Sequence, residues 1–229
     1  MSHSKTKALH TSTLREVSLE TPLGLRIGFW LCLFIGFAVV IRRVFSLRQA
    51  ASPGAPPELA RLDGWFRAHA VLTYVHILTA FVFLGFLMLI FWQPTRRSVV
   101  IRSTYYGLGT MVGLTAYAMS AYSVGGWVER AAVLFFNTFF LVSLALSFHA
   151  WRNGTVLQER RWTLRSAATV LGIATTRPVM GIFFATSRLT HWTPQQFFGP
   201  AFWIGFAINV IVMELWLHKT ATQREGRSQ

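Results

Sequence analysis

Arg177, followed at once by Pro178, lies in the middle of an otherwise uncharged run from Ser166 to Ser187. A run of that length reads as a membrane helix, and an ionisable residue deep inside one is costly enough to mark a functional position. Three more polar residues interrupt apolar runs elsewhere: His76, Asn137 and Asn209. A fixed guanidinium suits the recognition of carboxylate or phosphate, and an imidazole can relay protons or ligate a metal or haem. Two readings of Arg177 stay open. It anchors an anion or polar headgroup, or it locks the bundle by satisfying the carbonyl of Ala174 that Pro178 leaves without an N–H, together with Thr175, Thr176 and Asn137.

The elements that would position these groups follow from the apolar runs. The chain has 229 residues, 53% hydrophobic and 13% charged, with a mean hydropathy of +0.44. Long apolar runs and scarce charge indicate a polytopic membrane protein, and several spans of about 20 residues leave no room for a second folded domain. The runs are Leu23 to Ile41, Ala68 to Trp92, Ser103 to Tyr122, Ala131 to Trp151, Ser166 to Ser187 and Phe198 to Leu217. The first is expected to stop at Arg42 and Arg43, and the fifth to follow a basic loop from Arg152 to Arg165. Residues 47–66 form the longest loop, with a short helix expected from Pro57. Gly109 and Gly113 in the third run, continued by Ala116 and Ser120, make a small-residue edge for close helix approach.

The expectation is an all-α membrane protein, a bundle of about six transmembrane helices spanning residues 23–218, flanked by a mobile N-terminal tail (1–22) and a C-terminal tail (219–229). The net charge of +14 comes from 19 Arg and 3 Lys against 8 acids. These cations sit at helix ends, where they contact headgroups and set topology, and no basic stripe interleaved with aromatics points to nucleic acid. The termini and even-numbered loops carry 13 basic residues and the opposite side 7, which predicts that both termini are cytoplasmic in a bacterial inner membrane. The single cysteine, Cys32, allows no intrachain disulfide.

That topology places the four polar groups at one level. A rise of about 1.5 Å per residue puts His76 and Asn137 each about 12 Å from the outer side and Arg177 about 15 Å, with Asn209 at a similar depth. His69, Thr73 and His76 share one face of their helix. His76 is the candidate acid or base. Haem or a metal on it would need a second ligand at matching depth, and His149 falls at the opposite end of its run. Glu214 is expected to pair at the cytoplasmic interface with Arg160, Arg161 or Arg165. No nucleophile elbow, phosphate loop or paired carboxylate occurs.

The stretch from Gln158 to Ser166, Gln-Glu-Arg-Arg-Trp-Thr-Leu-Arg-Ser, followed by Thr176-Arg177, resembles an uncharacterised bacterial family of multi-pass membrane proteins, domain-of-unknown-function family twenty-three-zero-six. Arg160, Arg161, Trp162, Arg165, Ser166 and Arg177 match its pattern, as do His76 in Val-His-Ile and the late Glu214. Glu159 stands where the family has histidine, and the family's second motif, His-Arg with a following Gly-Arg, has no counterpart between Arg96 and Gly107. The resemblance implies a helical membrane fold with a buried Arg and His, and no established chemistry. The expected function is an intramembrane pocket of Arg177, His76, Asn137 and Asn209 that binds a small anionic or lipid-like molecule. The alternative is a membrane-embedded enzyme acting on an isoprenoid, quinone or haem-linked redox substrate.

Overall fold

In a computed structural model, which describes residues 21–48, 64, 67–92 and 98–225, the described residues form six long α-helices and no strand. They are α1 (Leu23–Arg48), α2 (Ala70–Phe91), α3 (Val99–Ser120), α4 (Gly126–Arg152), α5 (Val156–Thr190) and α6 (Pro194–Glu225). Most of the N-terminal tail, residues 226–229 of the C-terminal tail and most of the loop between α1 and α2, with the short helix expected there, lie outside the described residues.

Five helices, all but α3, are long and apolar enough to cross a membrane. Their outer faces carry large apolar side chains: Phe34 is 72% exposed, Val71 80% and Leu189 83%. Water would penalise such a surface, whereas hydrocarbon does not, so the chain is a multi-pass membrane protein. The third run departs from the expectation in composition. Although α3 has 22 residues, it is not among the five, and its Arg102, Tyr105 and Tyr106 pair in the interior while Ser103 and Thr110 are exposed. Tyr105 Oη meets Ser166 Oγ at 3.0 Å, Tyr106 Oη meets Ser147 Oγ at 2.9 Å, and Arg102 pairs with Glu159 while lying over the Trp151 ring.

Helix boundaries also differ from the reading of apolar runs. Arg42 and Arg43 do not stop α1, which continues to Arg48, because arginine is a good helix former and its long stem carries the charge toward the interface. The presumed basic loop from Arg152 to Arg165 is mostly the first turns of α5. The turn itself is confined to Asn153, Gly154 and Thr155, with Gly154 at φ +70°, a conformation that costs glycine little. α6 runs on past residue 218 to Glu225.

Helix contacts close a ring: α1 on α2, α2 on α3, α3 on α4, α4 on α5 and α5 back on α1, with α6 laid across α4 and α5. The end of the bundle nearer the α4–α5 turn is filled by Leu33, Phe83, Leu87, Tyr105, Phe140 and Leu171 and their neighbours, Phe83 stacking on Tyr105 with centroids 5.2 Å apart. Toward the other end Met180, Phe197, Phe198 and Ala201 pack α5 against α6. Between the two clusters the ring encloses space.

The α5–α6 contact is the most extensive in the bundle, and glycine on each helix receives the other. A Cβ on Gly172 would stand 2.9 Å from the Phe206 Cα, and one on Gly205 would stand 2.7 Å from the Thr176 Cα. The expected salt bridge seals the end of this seam: Arg165 grips Glu214 bidentately, with Nε to Oε1 at 2.5 Å and Nη2 to Oε2 at 2.8 Å. Gly205→Ala should therefore force the helices apart and cost about 1–3 kcal/mol. Gly107→Ala, where nothing lies within 4 Å of the added methyl, should be neutral or stabilise by up to about 1 kcal/mol. Thermal unfolding of the two purified variants in detergent checks the contrast.

Candidate functional site

The space inside the ring is a cavity of about 270 Å³ to which all six helices contribute. Its lining is mainly apolar, with Phe83, Phe136, Phe140, Phe202 and Phe206 among the walls. His76, Asn137 and Arg177 reach it from α2, α4 and α5. His69 and Thr73 line it too, so the shared face read from their spacing is turned to the cavity.

His76 Nδ1 lies 2.8 Å from Thr115 Oγ1. That hydroxyl also lies 2.8 Å from the Met111 carbonyl and 3.0 Å from the Val112 carbonyl, positions that claim its proton. The hydroxyl then accepts from His76 Nδ1–H, and in the neutral ring Nε2 remains as an acceptor. Asn137 Nδ2 donates to the Gly113 carbonyl at 2.9 Å. The small-residue edge of α3 makes this bond reachable: a Cβ on Gly113 would fall 2.4 Å from Leu141 Cδ2, so only glycine admits α4 this closely.

Arg177 differs from both. Its Nε is buried without a hydrogen-bond partner, and Nη1 finds only Met180 Sδ at 3.8 Å. None of the partners that a bundle lock requires is used for it. Thr175 Oγ1 donates to Asn209 Oδ1 at 2.7 Å, Thr176 Oγ1 donates to the Ile173 carbonyl at 2.6 Å, and Asn137 is engaged by Gly113. The residue is partly accessible, and it lines the cavity. α5 continues helically through Pro178, which has no N–H to give the carbonyl of Ala174, another residue of the cavity wall.

Asn209 stands apart from the expected group. It accepts from Thr175, donates to the Ala168 carbonyl at 3.2 Å, and is not part of the cavity lining. Depth alone put it with the other three; the rotation of α6 turns it into the seam with α5. It is this amide, rather than Arg177, that ties the two helices together. His149 is remote as well, hydrogen-bonded to Asn153 at the end of α4.

Two charged residues of the cavity wall went unrecognised in the sequence, Arg43 on α1 and Glu129 on α4. Glu129, only 8% exposed, lies in the first turn of α4 and lines the cavity. Its Oε2 accepts from the Gly125 N–H at 2.5 Å. The signal was present: Glu129, Val133, Phe136, Asn137 and Phe140 make a helical stripe, and every member of it borders the cavity. Among the described residues no group of three His, Cys, Asp or Glu side chains is placed to hold a metal ion.

The fold and this interior define a polytopic helical membrane protein with a charged, largely apolar cavity. No family model matches the chain, and no solved structure matches it. A stretch of 67 residues, 29% of the chain, is 31% identical to the UbiA prenyltransferase claS of Ampulloclitocybe clavipes. The match spans 19% of that protein, so this chain corresponds to about a fifth of the curated relative's length.

An unpaired guanidinium in a low-dielectric interior destabilises the protein that carries it. Arg177→Met should stabilise the ligand-free, delipidated protein by about 1–3 kcal/mol. Asn209→Leu, which removes the acceptor of the Thr175 hydroxyl and the second donor to the Ala168 carbonyl, should cost about as much. A lowered thermal midpoint for Arg177→Met would return the guanidinium to a structural role.

Proposed function

We propose that this chain is a bacterial inner-membrane protein, with both termini in the cytoplasm, whose cavity binds a small anionic, lipid-like molecule anchored on Arg177. The observation that carries the reading is the guanidinium itself, buried at Nε without a partner, with only the Met180 sulfur as acceptor for Nη1, and bordering a cavity with mainly apolar walls. Such a group needs an acceptor, and a carboxylate or phosphate oxygen is the best match for its planar fork. The apolar walls favour a ligand body of the same character. His76 Nε2 and the freed carbonyl of Ala174 offer acceptors for any donor the ligand carries. The arginine bias supports the orientation, and the resemblance to the uncharacterised family supports the buried Arg and His as a shared feature.

A second reading is a membrane-embedded enzyme acting on an isoprenoid or a related quinone, with His76 as the acid or base. The partial likeness to a prenyltransferase favours it, as does an imidazole nitrogen left open beside an apolar cavity. A haem-linked version is tested by the absorption spectrum of the purified protein.

Mass spectrometry of molecules extracted from the purified protein tests the first reading. The wild-type protein should retain an anionic amphiphile, Arg177→Ala should lose it, and Arg177→Lys, which keeps the charge but not the fork, should retain less. Equal retention in all three would sink the reading. Prenylated-product formation in membranes, compared between wild type and His76→Ala, tests the second; undiminished product in the variant removes His76 from the chemistry.

A further inference from the structure

Two of the cavity's polar side chains are held by the same turn of α3. His76 on α2 donates from Nδ1 to Thr115 Oγ1 at 2.8 Å, and Asn137 on α4 donates from Nδ2 to the Gly113 carbonyl at 2.9 Å. Their anchors are two residues apart, about 3 Å along the α3 axis, so the two side chains stand at one level. α2 and α4 flank α3 in the ring, which sets them on either side of Val112 and Ala116, the residues of α3 that face the cavity there. Each uses a donor on α3 and keeps an acceptor: Nε2 of the neutral imidazole and Oδ1 of the amide. Neither atom has a partner among the described residues, and neither is closed off by packing. The α3 wall of the cavity therefore carries a pair of unfilled acceptors.

The α5 wall has the opposite polarity. Arg177 is all donor, and its Nη2, without a partner and not closed off, is the end a ligand can reach. A molecule that satisfies both walls has an acid at one end and a hydrogen-bond donor at the other. That donor is a hydroxyl rather than an ammonium. Both acceptors are neutral, and Glu129, the one carboxylate among the described lining residues, lies two turns of α4 from Asn137, about 12 Å along the axis. A cation at the acceptors would lack a counter-ion, whereas a hydroxyl brings no charge to be stripped of water. Volume bounds the body: where about 150 Å³ takes one benzene ring, the cavity's 270 Å³ takes roughly ten carbon atoms. We propose that the cavity selects a hydroxy acid, with its acid on Arg177, its hydroxylated end at His76 Nε2 and Asn137 Oδ1, and a short apolar body between. This deepens the reading of Arg177 as a ligand anchor and rests on it.

The test uses the full chain, purified in detergent and delipidated, with two pairs of probes that differ by one hydroxyl: decanoate against ω-hydroxydecanoate, and phenylpropanoate against its para-hydroxy form. Calorimetric titration, corrected for uptake of each probe by protein-free micelles, should give at least one hydroxylated acid a Kd about tenfold or more below that of its plain partner. The pair that shows it tells a chain from a ring as the body. His76→Phe or Asn137→Leu should bring the two values together, and a plain acid that still binds shows that the variant is folded. ω-Aminodecanoate should bind more weakly than ω-hydroxydecanoate. Arg177→Ala should abolish binding of every probe. Equal binding of hydroxylated and plain acids by the wild type, a preference that survives in both acceptor variants, or tighter binding of the amino probe overturns the hydroxyl site and leaves the anchor standing. Failure of every acid, decyl phosphate included, to bind the wild type overturns the anchor and the hydroxyl site together.

Discussion

Hydrocarbon supplies no hydrogen-bond partners, so each polar side chain in this bundle must be matched by another or remain a cost. Most are matched. Tyr105, Tyr106, Ser147, Thr163 and Ser166 complete one another's bonds near the α4–α5 turn, and Thr175 and Asn209 do so between α5 and α6. These pairings explain how α3, the one described helix not apolar enough throughout to cross a membrane by composition, can still take its place in the ring. Its polar face is a mortise for the hydroxyls of α4 and α5. Among the described residues the buried atoms left without a partner are Nε of Arg67, Arg130, Arg161 and Arg177 and Oγ of Ser143, and of these Arg177 alone borders the space that the ring encloses.

The helices were legible in the sequence because hydropathy is a one-dimensional property that survives without knowledge of neighbours. Charge was a poorer guide to where they end. Arg42, Arg43, Arg160 and Arg161 interrupt the apolar pattern but continue the helix, since the side chain and the backbone obey different constraints. The pairing of Glu214 with Arg165 was legible from their common level near one membrane face.

Within the site, depth was readable and azimuth was not. Counting residues from a helix end set His76, Asn137, Arg177 and Asn209 at one level, yet only the packing of α6 decides that Asn209 turns toward α5. Glu129 illustrates the converse. Its place at a helix start made it look like a boundary marker, although its spacing of two turns from Asn137 put both on one face. Glu159, where the resembled family has histidine, is accounted for by Arg102 across the α3–α5 interface.

The apolar outer surface of the ring bears on how occupancy should be reckoned. α1 is the wall with the least anchorage; among its described residues only Leu33 and Gly36 are buried, and it contacts chiefly α2 and α5. A ligand with an apolar body partitions into the bilayer before it meets this wall, so its effective abundance is a mole fraction among lipids rather than a molarity in water. Two compounds with equal affinity for the cavity would then fill it to different extents at the same aqueous dose, in proportion to how far each dissolves in the membrane.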